Sequence, residues 1–142
     1  MEQIKFIPIN VFNDEKIISC YRFFNDIEID TIPVELREQE ADAITYIVFS
    51  SGKCVAFYAN SESFTLNYEF IETQEIPMKS VIKVSDNLFW KTKINQTIIS
   101  IEILYGLINR PYGVRLNLIN KEIVELQYVS ETDYTFDGLI IR

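Results

Sequence analysis

Phe64-Thr65-Leu66-Asn67-Tyr68-Glu69-Phe70 is the stretch that decides the fold class. Its apolar residues Phe64, Leu66, Tyr68 and Phe70 fall on every second position, with Thr65, Asn67 and Glu69 between them. Only an extended chain places alternate side chains on opposite faces, so this stretch reads as a strand with one wet face. The same alternation recurs in Ile99, Ile101, Ile103 and Tyr105 around Ser100 and Glu102, and in Val114, Leu116 and Leu118 around Arg115 and Asn117.

Intrinsic preference agrees with the pattern, because Ile, Val, Tyr and Phe are abundant and Ala is scarce. Strands are expected near 3–12, 16–24, 44–50, 53–59, 63–71, 80–84, 88–92, 97–105, 113–119, 123–129 and 138–141. Ser51-Gly52, Ser85-Asp86-Asn87 and Asn120-Lys121 carry hairpin chemistry, and Asn13-Asp14 can link the first two strands. Arg110-Pro111-Tyr112-Gly113 should break the chain before the strand at 113. One short helix is expected near 33–42, where Pro33 suits an opening position and Glu35 lies close to the positive helix end.

The expected fold is therefore mainly β, or α+β with that one helix counted. The architecture is an antiparallel curved sheet, partial barrel or sandwich, since many short strands must protect their edges. At 142 residues, with no linker or repeat, residues 1–142 read as a single domain.

No apolar run reaches the roughly 20 residues of a membrane helix. Thr97–Ile108 is interrupted by Ser100 and Glu102, and Met1-Glu2-Gln3-Ile4-Lys5 lacks a secretory n-region, so the expected place is the cytoplasm. Cys20 and Cys54 are too few for a disulfide framework and read as small strand residues. The sequon Asn95-Gln96-Thr97 would matter only in a secreted chain.

The chain contains no histidine and only 4 glycines. The first removes the commonest general base and zinc ligand, and the second leaves no phosphate-cradling loop. Glu69, Glu72, Glu75, Glu102 and Glu125 offer carboxylates, but Glu69, Glu102 and Glu125 occupy the polar phase of strands and read as a solvated face. No catalytic residue, cofactor or metal is expected, and an enzyme using carboxylates with Tyr or Lys ranks last.

A net charge of −8 opposes direct nucleic-acid and anionic-membrane binding and favours cationic partners. Asp26, Glu28 and Asp30 alternate with isoleucines, and Glu35, Glu38, Glu40 and Asp42 continue an acidic segment in which Arg37 is the lone cation. The run lacks the glycine and distal Glu of a calcium loop. Such a segment would steer a basic protein, while affinity would come from aromatic anchors.

Tyr46, Tyr58, Phe89, Trp90, Tyr112 and Tyr134 are the anchor candidates, with Trp90 and Tyr112 preferred as partner-binding residues. The expected function is a protein-binding inhibitor of the immunity kind that masks the active site of a basic toxin. The alternatives are a β-barrel carrier with a cavity lined by Phe64, Tyr68, Ile101 or Leu116, and a structural domain without a ligand. An exposed β edge could also pair two copies into a homodimer.

Overall fold

The computed structural model describes residues 12–23, 44–60, 62–77, 81–129 and 138–142. The expected helix at 33–42, and the expected first strand apart from Phe12, lie outside them. The described elements are β1 (Ile17–Phe23), β2 (Thr45–Phe49), β3 (Cys54–Asn60), β4 (Thr65–Ile71), β5 (Val81–Lys83), α1 (Leu88–Lys91), β6 (Ile98–Tyr105), β7 (Pro111–Leu118), β8 (Ile123–Val129) and β9 (Gly138–Ile141).

The strands form two antiparallel sheets. The first has the order β4-β3-β2-β1-β5 and the second β6-β7-β8-β9. Apart from β5, neighbours in sequence are neighbours in space, as short turns dictate. Gly52 makes the β2–β3 turn at φ +89 with no contact that a side chain would violate, so its value there is backbone freedom.

The two sheets share one core. Ile17, Ile47, Phe49, Val55, Phe57 and Leu66 of the first meet Ile98, Val114, Leu116, Val124, Leu126 and Leu139 of the second. Each large side chain withdrawn from water there contributes about 1.5–3 kcal/mol before the entropy of ordering it. The product is a sandwich, and the strands of the described residues do not close into a barrel.

The outer faces differ. Tyr46, Cys54 and Ala56 are buried on the outside of the first sheet, with Tyr21, Phe23, Val48 and Ile71 packed around them. On the second, Arg115 donates to Glu125 from Nε at 2.7 Å and to Glu102 from Nη1 at 3.0 Å. Asn117 donates to Ser100 at 2.9 Å, and Gln127 to Glu125 at 2.6 Å. This ladder brings Glu102 and Glu125 onto a cation; Glu102 is exposed, as expected of a solvated face, whereas the Glu125 side chain is largely covered, at 15% exposure.

Five local expectations need correction. Residues 88–92 are not a strand, because Leu88–Lys91 make a single helical turn. In a strand Leu88 and Trp90 would share a face; the helical turn separates them and delivers Trp90 to the core while Leu88 stays outside. Ser85-Asp86-Asn87 accordingly joins no hairpin. The Ser85 hydroxyl instead accepts the Cys20 N–H at 2.9 Å and ties the turn to β1.

Ile99 does not share a face with Ile101 and Ile103. A bulge between Ile98 and Ser100 puts Ile98 in the core and Ile99 in solvent. Phe64 likewise falls outside its strand, at φ 56 in the turn before β4. Finally, β7 starts at Pro111, so the break before it falls at 106–110. Gly113 lies inside that strand, where a β-carbon would meet the Leu126 carbonyl at 2.8 Å.

Candidate functional site

Strand register sorts the connections between two ends of the sandwich. Asn60 pairs Thr65, Tyr105 pairs Pro111, and Val129 pairs Gly138. Phe23 N–H donates to the Ile44 carbonyl at 2.9 Å where β1 leaves the sheet and β2 enters it. Phe64 joins the sheets at this end, its ring edge-on to Tyr128 at 6.1 Å.

The most exposed apolar side chains of the described residues sit here. Leu107 is 88% and Ile108 96% exposed, in the β6–β7 connection, and Tyr105 beside them is also exposed. Leaving two consecutive large aliphatic side chains in water at a loop tip serves no packing purpose, whereas a single one, such as Leu88 at the other end, is ordinary.

The backbone sharpens the point. Ile108 has φ 57 and Asn109 φ 58. Asn accepts the left-handed region readily, but a β-branched side chain there costs roughly 1–2 kcal/mol. Phe64 is also left-handed, so the two bulky residues in this conformation fall at the same end. Strain of this kind persists where the surroundings hold it, and it concentrates in binding loops.

Arg110 links the two. Its carbonyl accepts the Gly106 N–H at 2.8 Å and closes the tip, and its guanidinium lies 5.8 Å from the Phe64 ring centroid. Tyr112 supports the base of the loop, its ring 3.4 Å from where a Gly106 β-carbon would stand. Tyr68 packs nearby; burial, and secondarily the charge of Tyr105, push its hydroxyl above the ordinary tyrosine value. Of the residues gathered here, Tyr and Arg are the types enriched at interface centres.

The sequence-derived candidates fare unequally. Asp26, Glu28, Asp30, Glu35, Glu38, Glu40, Asp42 and Tyr134 lie outside the described residues. Trp90 is fully buried and Tyr46 buried, so neither is a surface anchor; the indole fills the core because it is the largest apolar group available there. Tyr58 and Phe89 are half-buried, Phe89 beneath the Lys93 ammonium at 4.0 Å. Tyr112 is half-buried and does belong to the tip.

Sequence reasoning missed Tyr105, Leu107, Ile108, Arg110 and Phe64. One signal was available: Leu107-Ile108 stands between Gly106 and Asn109-Arg110-Pro111, two aliphatics where turn chemistry calls for polar residues.

Charge is divided sharply. The described residues carry ten acids and ten cations and are neutral overall, whereas the remainder carry eleven acids against Lys5, Arg37 and Lys79. The whole net charge of −8 therefore resides in the remainder. Two of those segments, 24–43 and 130–137, are bounded by Phe23 with Ile44 and by Val129 with Gly138, all at the end that carries the tip.

Among the described residues no helix is long and apolar enough to cross a membrane. No family model matches the chain, and neither a curated protein nor a solved structure shows significant similarity to it.

Proposed function

We propose that this chain is a cytoplasmic protein-binding inhibitor of the immunity kind, which docks a basic toxin through the Leu107–Ile108 end and covers its active site. The observation that carries the reading is the projecting, left-handed Ile108 beside an equally exposed Leu107. An apolar tip of this kind supplies binding energy once a partner pocket desolvates it.

The separation of charge supports a basic partner. A neutral sandwich avoids repelling the tip from its target, while acidic segments rooted at the same end raise the encounter rate and fix orientation. Cys20 and Cys54 are free and buried, in keeping with a reducing compartment. The carrier reading has no comparable support: Leu116 is packed in the shared core, and Phe64 is a half-exposed surface residue packed between Tyr128 and Arg110.

The test is capture of the partner by tagged protein at two salt concentrations, joined to a growth assay in cells producing whatever is captured. Wild type should retain a basic protein, associate more slowly at high salt and relieve its toxicity. Leu107→Ser with Ile108→Ser should weaken that binding roughly 100-fold without lowering thermal stability. Equal capture by wild type and the double variant, or a captured protein whose toxicity persists, would sink the reading.

A further inference from the structure

We propose that Arg110 is the polar anchor of this end, and that it receives an Asp or Glu carboxylate that the partner presents beside an aliphatic side chain. The inference rests on the docking role given to the Leu107–Ile108 end and names the chemistry of the contact.

Arg110 Nε is buried and has no hydrogen-bond partner, and no carboxylate pairs with this guanidinium among the described residues. Buried donors are nearly always satisfied, so an orphaned one marks a place where an acceptor is missing. Arg115, in the strand that follows, shows the contrast, holding a carboxylate on each side. Trp90 Nε1 is also orphaned, but its side chain is sealed in the core, where no ligand can reach it. Arg110 Nε is covered as well, but the residue as a whole remains partly exposed at a loop tip.

The guanidinium is positioned as well as unpaired. Phe64 lies under it, and the Arg110 backbone closes the loop by accepting from Gly106 and donating to the Leu107 carbonyl at 3.4 Å. A planar fork held on an aromatic ring loses little freedom on meeting a carboxylate, whose two oxygens match it bidentately. Leu107 and Ile108 are exposed on the same loop tip, three and two residues before Arg110, and offer apolar surface to an aliphatic group next to the carboxylate. A partner that is basic overall still offers single carboxylates, and at this point the match is to one of those.

The experiment uses the full chain labelled with 15N and follows the Arg110 Nε–Hε resonance during titration with N-acetyl-leucine, at constant ionic strength. The resonance should shift and saturate below about 50 mM, and N-acetyl-leucinamide should bind roughly tenfold more weakly. Arg110→Gln should abolish the response, and Arg110→Lys, which keeps the charge without the fork, should weaken it about fivefold or more. Thermal melts of both variants matching wild type exclude a folding defect.

Equal responses to the acid and the amide, an unmoved Hε resonance, or undiminished binding by Arg110→Gln would each overturn the assignment. So would a probe that binds only after Glu131, Asp133 and Asp137 are neutralised to Gln, Asn and Asn, because the chain's own carboxylates would then be the occupants. These outcomes are separate from the docking role, which stands or falls on partner capture by the Leu107–Ile108 variant.

Discussion

The two ends of the sandwich solve the same problem in opposite ways. Both must reverse strands and both use left-handed residues outside glycine. At the end formed by the β2–β3 and β7–β8 turns these are Asp14, Asn95 and Lys121. None of them is β-branched or aromatic, and Asn and Asp are the types that tolerate this conformation best. That end is also laced shut. Lys93 donates to the Phe89 carbonyl at 2.8 Å and meets Glu122 at 3.5 Å, and Asn120 donates to the Thr92 carbonyl at 2.8 Å.

The opposite end places a phenylalanine and an isoleucine in the left-handed region, leaves Leu107 and Ile108 in water and leaves Arg110 Nε without an acceptor. Turn chemistry is thus well matched to backbone conformation at the first end, although Leu88 is exposed there, and poorly matched at the second. Strain by itself is uninformative. Strain in a residue type that avoids it, coincident with exposed apolar surface, is what separates a binding loop from an ordinary turn.

The largest effect that can test this contrast is at the laced end. Trp90→Ala should lower the unfolding free energy by about 3–5 kcal/mol in urea melts, since it empties the largest fully buried side-chain position. A loss comparable to that of a surface substitution would break the claim that α1 closes this end.

Alkaline titration gives a smaller effect. Cys54 begins β3 just beyond the β2–β3 turn, and burial pushes its thiol from 9.0 up to about 11. The folded state holds the proton more tightly than the unfolded one, so the contribution is complete below pH 9 and is lost as pH climbs toward 11. Denaturant melts across that window should show a loss of about 1–2 kcal/mol from this group, and Cys54→Ala should remove that part of the slope. The Cys20 thiol is raised by burial in the same direction. A pH-independent stability across the window would contradict the tight enclosure of both thiols.

The smallest effect has the most telling sign. Ile108→Asn should raise stability by about 1 kcal/mol, because Asn accepts the left-handed conformation that Ile resists. The same variant should bind the captured partner more weakly. Increased stability with unchanged binding would show that the strained residue is merely a poor turn choice.

Much of the fold was legible because periodicity and turn residues speak locally. Strands expected at 123–129 and 138–141 are β8 and β9 with the same bounds. The turns at Ser51-Gly52 and Asn120-Lys121 do join the strands on either side of them. The candidate site was barely legible. Trp90 and Tyr112 stand out in the sequence as aromatic residues beside turns, yet the core claims Trp90, and the tip is built around two aliphatics that a pattern search assigns to the interior.

The sequence by itself determined the β character of the chain, most strand positions and the place of its excess acid, because each depends on residue type and spacing alone. Tertiary structure decided which apolar residues stay outside. Ile98 and Ile99 are adjacent and alike, and a bulge sends one to the core and the other to solvent. It also decided that Phe64, Arg110 and Tyr128 meet, since residues so far apart in the chain come together only when two sheets pack face to face. A local pattern records which side of a strand a residue is on, but which surface lies opposite is a property of the packed whole.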